Sequence, residues 1–303
     1  VTRIADKATL AGPDCLKIGA ATVHRIADIE RIGWPATALF RALEGSALSE
    51  AAAAYPAAAD AQAGTLTLCF NSYIIDAPDY LVLIDAGVGN GKERLDRPAW
   101  HRRAGDFLQR LQALGYRPED FDIVINTHLH ADHVGWNTIA SGSGWAPAFP
   151  KARYVVSEVE LAHWTRLYEK DPHTLHGAYA DSVKPILDAG LFQAVALPAQ
   201  IAPGLRMEPA PGHTGGMAVV RFTPADAPEI LFMADVMHSP VQLTAPDLTS
   251  NFCVDPAQAR ETRRRLLDGC VGTDTIVAPY HFPPPVFGTI VKAGDGYAHK
   301  PVT

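Results

Sequence analysis

The stretch "NTHLHADHVGWN", residues 126–137, gathers His128, His130, Asp132 and His133 within six positions. It closes a short β-branched run, "FDIVINTH" (121–128), which reads as a strand delivering the cluster at its C-terminal end. In extended backbone, residues i and i+2 point to the same side, so His128 and His130 can converge on one metal ion. Asp132 and His133 follow where the chain turns, and reach the same pocket from a second direction. A single zinc ion is satisfied by three or four ligands. Four donors in one short loop exceed what it can aim at one ion, which brings a second metal into consideration.

Outward from this loop, "TLTLCFNSYIID" (65–76) and "YLVLIDAG" (80–87) read as strands joined by a turn. "AGDFLQRLQALGY" (104–116) has helical spacing and ends at a glycine. A strand at 152–158 precedes helical patterns at 159–170 and 180–190, and Pro185 requires the second of these to start late or kink. "LFQAVAL", "LRMEPA", "MAVVRFT" and "EILFMAD" read as four more strands, and "TIVAPYH" (275–281) as a last one. Residues 255–269 read as a helix with Asp255 as N-cap, Pro256 at its first position and Gly269 at its end. Towards the N-terminus, 15–26 reads as a strand and the Ala-rich 42–64 as a loose helix or arm. Strands each followed by a helix or two occur twice. That pattern predicts an α/β protein of two packed sheets with helices outside, one continuous domain over 1–303. Residues 1–62 would be an extension, a dimerisation arm or a plain surface segment, and 63–290 the core.

Three further donors sit just past apolar β runs, where loops carry functional groups on a rigid scaffold. His213 lies in "PAPGHTGG" (209–216), Asp235 in "LFMADVMH" (231–238) and His281 in "VAPYHFPPP" (277–285). Other glycine-rich segments fail the patterns they imitate. "DAGVGNGKE" (85–93) lacks the first glycine and the Ser/Thr of a phosphate loop, and Lys92 stands where a dinucleotide motif needs its last glycine. "SGSG" (141–144) lacks the flanking glycines of a nucleophile elbow and reads as a turn.

The ordered set "THLHADH", "GHTGG", "MADV" and "PYH" resembles the metallo-β-lactamase superfamily over roughly residues 65–285. Intervals of 80, 22 and 46 residues separate His133, His213, Asp235 and His281. With "HADHVGWN", "FPKARYVVS", "DVMHSPVQ" and "HFPPP", they look like the branch holding methyl parathion hydrolase and lactonase-like enzymes. The resemblance implies a four-layer αββα sandwich with two mixed sheets and outer helices. It also implies a dinuclear site. His128, His130 and His213 would hold one metal, Asp132, His133 and His281 the other, and Asp235 would bridge them. Zinc is the first expectation, with Mn²⁺, Fe²⁺ or Co²⁺ as alternatives; an aspartate at 235 suits such ions and disfavours a cysteine-ligand β-lactamase. A water shared by two such metals loses a proton near neutral pH and attacks a carbonyl carbon or phosphorus. Asp132 and Asp235 are the expected catalytic carboxylates, with Asp132 able to orient the nucleophile. Asp85 and His238 are candidates to support the ligands from outside.

The expected activity is hydrolysis of lactones or esters, with organophosphate triesters as an additional or main substrate. A glyoxalase-type thioesterase lacks an evident Lys/Arg clamp, and a non-catalytic sensor would be expected to have lost ligands. Phe70, Tyr73, Trp136, Phe252, Tyr280 and Phe282 are candidates for an aromatic substrate wall, with Phe287 beside them. The branch pattern S-x-F-D-x-D-P appears here as "SNFCVDP" (250–256), with Cys253 in place of the first acid.

Composition limits the partners. A formal charge of −7 argues against nucleic acid and anionic membranes, leaving a small-molecule substrate and a homodimer to consider. The densest basic run, 260–268, reads as a solvated helix face. Cys15, Cys69, Cys253 and Cys270 show no CxxC spacing, which fits free thiols and a cytoplasmic setting. No run of about 18 apolar residues is present. A leader removed before Val1 would instead place the protein in the periplasm or outside the cell.

Overall fold

The computed structural model describes residues 8–302, and these divide into two compact units. One holds the chain up to Ala20, Glu30–Cys69 and everything from Pro198 on; the other holds Ala21–Ile29 and Phe70–Leu197. Its strands open with β1 (Ala8–Gly12), β2 (Cys15–Ile18), β3 (Ala21–Pro35), the short β4 (Ala59–Asp60) and β5 (Thr65–Ala77). Strands β3 and β5 each contribute residues to both units. Helices α1 (Ala36–Leu39) and α2 (Gly45–Ala54) lie between them in sequence. The segment expected to be an extension thus carries regular structure, and Leu16, Ile18, Val23, Ile26, Leu39 and Phe40 within it are buried.

In the Phe70–Leu197 unit, β6 (Tyr80–Ile84), β7 (Ile123–Ile125), β10 (Arg153–Ser157) and β11 (Phe192–Val195) continue the order β3-β5-β6-β7-β10-β11. Between β7 and β10 come β8 (Thr138–Ser141) and β9 (Gly144–Pro147), a hairpin whose turn is the "SGSG" segment. The β5–β6 pair is antiparallel, whereas β6–β7, β7–β10 and β10–β11 are parallel. Parallel strands are covered on both faces, which explains why Val82–Ile84, Ile123–Ile125 and Tyr154–Val156 are continuously apolar and buried. Helices α3 (Phe107–Ala113), α4 (Ala131–Val134), α5 (Glu158–Lys170) and α6 (Lys184–Asp188) complete the unit. As Pro185 required, α6 starts late, behind a π-helical turn at Tyr179–Val183.

The other unit holds a seven-stranded mixed sheet. Its strands are β12 (Ala199–Ala202), β13 (Leu205–Pro209), β14 (Ala218–Phe222), β15 (Ile230–Phe232), β16 (Ile276–Ala278), β17 (Gly288–Ala293) and β18 (Gly296–Pro301), in sequential order. Only β15–β16 is parallel, and that pair requires a crossover, supplied by α7 (Val241–Thr244) and α8 (Pro256–Cys270). The Asp255 carboxylate caps α8, accepting from the amides of Ala257 and Gln258 as expected. The closing hairpin β17–β18 lies beyond the elements read from sequence. Among the described residues no helix is long and apolar enough to cross a membrane.

Candidate metal-binding clusters

In the Phe70–Leu197 unit the motif loop is closed on itself. Asn126 and Asn137, the first and last residues of "NTHLHADHVGWN", bond each other through both side-chain amides at 2.9 and 3.2 Å. The preceding loop, 85–91, docks against it: Ala86 donates to the His133 carbonyl, Gly135 to that of Gly87, and Trp136 to that of Ala86. Two glycines make this approach possible. A Cβ at Gly135 would lie 1.9 Å from the backbone of Val88, and one at Gly89 would lie 2.6 Å from the backbone of Gly135. Gly135→Ala is therefore expected to push the loops apart and destabilise the fold by about 3 kcal/mol, the upper range for overpacking. A urea midpoint equal to that of the wild type would refute this.

Between these anchors, His128, His130 and His133 crowd together, with ring centroids 4.6 Å apart for His128–His130 and 4.0 Å for His128–His133. This packing brings three potential nitrogen donors of one short loop together. Asp132 Oδ2 lies 3.8 Å from His133 Nε2. Asp85, at the end of β6, accepts from the Thr127 amide and hydroxyl, each at 2.8 Å, and from His133 Nδ1 at 2.9 Å. Thr127 donates to both Asp85 oxygens, and an ionised carboxylate only accepts, which places the His133 proton on Nδ1. The Thr127 hydroxyl spends its proton on Asp85 and accepts from His128 Nδ1, 3.2 Å away. Both rings therefore keep the Nε2 lone pair for a ligand. Burial pushes the Asp85 carboxyl pKa up, and the adjacent His133 opposes that shift.

Three donors predicted from sequence meet in the other unit by register. In the parallel pair β15–β16, Phe232 lies opposite Ala278, so Asp235 and His281, each three residues further on, emerge side by side. His213 comes from the β13–β14 loop at the same end, since Pro209 pairs with Ala218 and Val220 with Phe232. Asp235 Oδ2 lies 3.2 Å from His213 Nε2 and 3.3 Å from His238 Nε2, and its Oδ1 lies 3.4 Å from His281 Nε2. Donors bound to zinc at about 2.0–2.1 Å and tetrahedral angles sit roughly 3.3 Å from each other, so the spacing fits a metal. His281 Nδ1 bonds the Cys69 carbonyl at 2.9 Å, an acceptor only, which again leaves its lone pair on Nε2. Ala234, just before Asp235, is held at φ +46°, a strained backbone of the kind concentrated at functional sites.

His238, expected mainly to play a structural part, lies inside this cluster. Asp235, His238 and His281 form a buried trio able to hold an ion. Burial pushes its imidazole pKa down, and the Asp235 carboxylate 3.3 Å from its Nε2 opposes that shift. Its signal was the i+3 spacing from Asp235. Glu160 was not foreseen: its buried carboxylate accepts from the Leu129 amide and from Trp164 Nε1, tying the motif loop to α5. An acid within an amphipathic helix gives no hint of that role.

The aromatic wall needs correction at Trp136. It lies in the turn Gly135–Asn137 and stacks on Phe107 at 5.4 Å within the apolar core beside Phe121 and Phe149, so its ring is a core residue. Phe70 packs edge-on to Trp100, Tyr280 edge-on to its neighbour His281 and Phe282 edge-on to His299; all three are buried, as is Tyr73. Phe252 alone of the six is exposed, at 37%, and meets Trp34 edge-on. Lys92 is buried as well. It donates to Thr138 Oγ1 and the Asp181 carbonyl and lies over Trp145, and burial pushes its pKa down to about 7 against the pull of Asp181.

Buried histidines and aspartates at these spacings, with acceptors standing behind them, make clusters that could hold metal ions. The chain belongs to the metallo-β-lactamase superfamily, whose family model matches residues 71–269. It is 24% identical over 190 residues to N-acyl homoserine lactonase AiiB of Agrobacterium fabrum, covering 58% of this chain and 66% of AiiB, just under two thirds. Among solved structures, the hydrolase AbOPH of the β-lactamase superfamily superposes with TM-score 0.81 at 23% identity, covering 97% of this chain and 99% of its own. AidC, a dizinc quorum-quenching lactonase solved with the product N-hexanoyl-L-homoserine, gives 0.76 at 20% identity, covering 98% and 99%. The expected metallo-β-lactamase fold is thus the fold found.

Proposed function

We propose that this chain is a dinuclear metallohydrolase that opens lactone rings or cleaves esters of small molecules, with phosphotriesters as secondary substrates. As the resemblance implies, His128, His130 and His213 would hold one ion, Asp132, His133 and His281 the other, and Asp235 would serve both. The observation that carries this reading is Asp235 itself, whose two carboxylate oxygens face different imidazoles at 3.2–3.4 Å. Two zinc ions, when bound, would supply Lewis acidity and water acidified to near neutral pH. The protein's residues do the rest. Asp85 and Thr127 hold His133 and His128 in the ligating tautomer, the Cys69 carbonyl does so for His281, and Asp132 can use one oxygen to orient the attacking water. Similarity to an acyl homoserine lactonase supports lactones as the first substrate class.

The test is kcat/KM of the zinc-replete protein on an N-acyl homoserine lactone and on an aryl phosphotriester, before and after chelation. A larger lactone value that chelator abolishes and zinc restores is expected. A dominant phosphotriester rate, or negligible turnover of both by protein carrying its full zinc, would overturn the substrate assignment.

A further inference from the structure

The candidate ligand histidines differ in what stands behind them. His133 Nδ1 meets the Asp85 carboxylate at 2.9 Å and His281 Nδ1 meets a backbone carbonyl at 2.9 Å, whereas His213 Nδ1 meets the Cys253 thiol at 3.7 Å. A thiol sulfur is a weak acceptor, and a carboxylate is a strong one that raises the basicity of the imidazole it holds. The contact is built rather than incidental. Val254 donates to the His213 carbonyl at 3.0 Å and Asp255 to that of Gly212 at 2.9 Å, which zips residues 254–255 onto the His213 loop. The first turn of α8 then clamps that loop. A Cβ at Gly212 would lie 2.3 Å from the Ala259 amide nitrogen, and the Thr262 hydroxyl donates to the Pro211 carbonyl at 2.7 Å. Sγ is therefore held against His213 by backbone that cannot easily retreat.

We infer that Cys253 is a positioning residue for His213 and that its thiol keeps the metal bound through His213 more weakly held than a carboxylate would. An aspartate places its oxygens one bond beyond the position of Sγ, which brings one into ordinary hydrogen-bond range of Nδ1. This inference rests on His213 being a ligand, as proposed above.

The experiment is zinc titration of the metal-free chain against a chromophoric chelator, for the wild type, Cys253→Asp and Cys253→Ala, with thermal midpoints confirming that each is folded. Cys253→Asp is expected to bind the weaker of its zinc ions at least about 10-fold more tightly than Cys253→Ala, with the wild type between them. The cobalt-substituted wild type should show no thiolate-to-metal charge-transfer band, because the thiol touches the ring and not the ion. Equal affinities, a reversed order, or a thiolate band would each overturn the inference. His213→Ala keeping both zinc ions would instead defeat the ligand assignment beneath it.

Discussion

Asp235→Asn is expected to cost the protein about one equivalent of metal and to lower kcat/KM by about 10³-fold, the several kcal/mol of charge stabilisation that a Lewis-acidic ion contributes. The substitution preserves volume and removes the property the site uses. A carboxylate offers lone pairs from both oxygens, and here Oδ2 faces His213 and His238 while Oδ1 faces His281. An asparagine must turn its NH₂ toward one side, where it presents protons to Nε2 lone pairs and cannot bind an ion. Metal content after gel filtration, read beside turnover, checks both halves of the expectation. Full metal occupancy with full activity would show that Asp235 does not bridge.

Asp85→Asn is expected to weaken metal binding by roughly 10–100-fold without touching a ligand, the usual cost of removing an outer partner of a metal-bound histidine. Asp85 sits at φ +56°, a left-handed conformation that asparagine adopts readily, so the backbone is undisturbed. The damage is one of donors and acceptors. If the amide oxygen keeps the Thr127 N–H, the NH₂ group faces Thr127 Oγ1 and His133 Nδ1, which were both donating to Asp85. His133 can answer only by moving its proton to Nε2, which blocks the ligating atom, or by leaving a buried donor unsatisfied at about 1–3 kcal/mol. Chelator competition measures the first effect and urea unfolding the second. Zinc affinity within twofold of the wild type would show that the Asp85–Thr127 arrangement does not hold the ligating tautomer.

The helix from Asp255 was legible to within a residue of its end, because an N-cap acid, a proline at the first position and an amphipathic pattern are local signals. The strands at 65–77 and 80–84 were legible too, the second read three residues past its end, since an apolar β-rich run and a turn need no distant partner to be recognised. The β17–β18 hairpin and the full length of β3, Ala21–Pro35, were not read. Half-exposed alternation such as that of Gly288–Ala293 is weak until a neighbouring strand completes it. Trp136 was misplaced among the substrate contacts for a related reason. Its ring packs on Phe107, 29 positions away, and a tryptophan in a motif loop does not announce whether it faces a pocket or the core.

The sequence by itself determined which donors exist and that each follows a β run: residue type and hydrophobic period are local, and both survive without a fold. Asp85 was already a candidate support, but the tertiary structure decided which donor each outer partner stands behind. Thr127 finds Asp85 across 42 positions, and His281 finds the Cys69 carbonyl across 212. Those pairings come from strand register and from loops packed to backbone contact. Only when the chain folds do they set which nitrogen of each histidine carries the proton, and so which one is left for a metal.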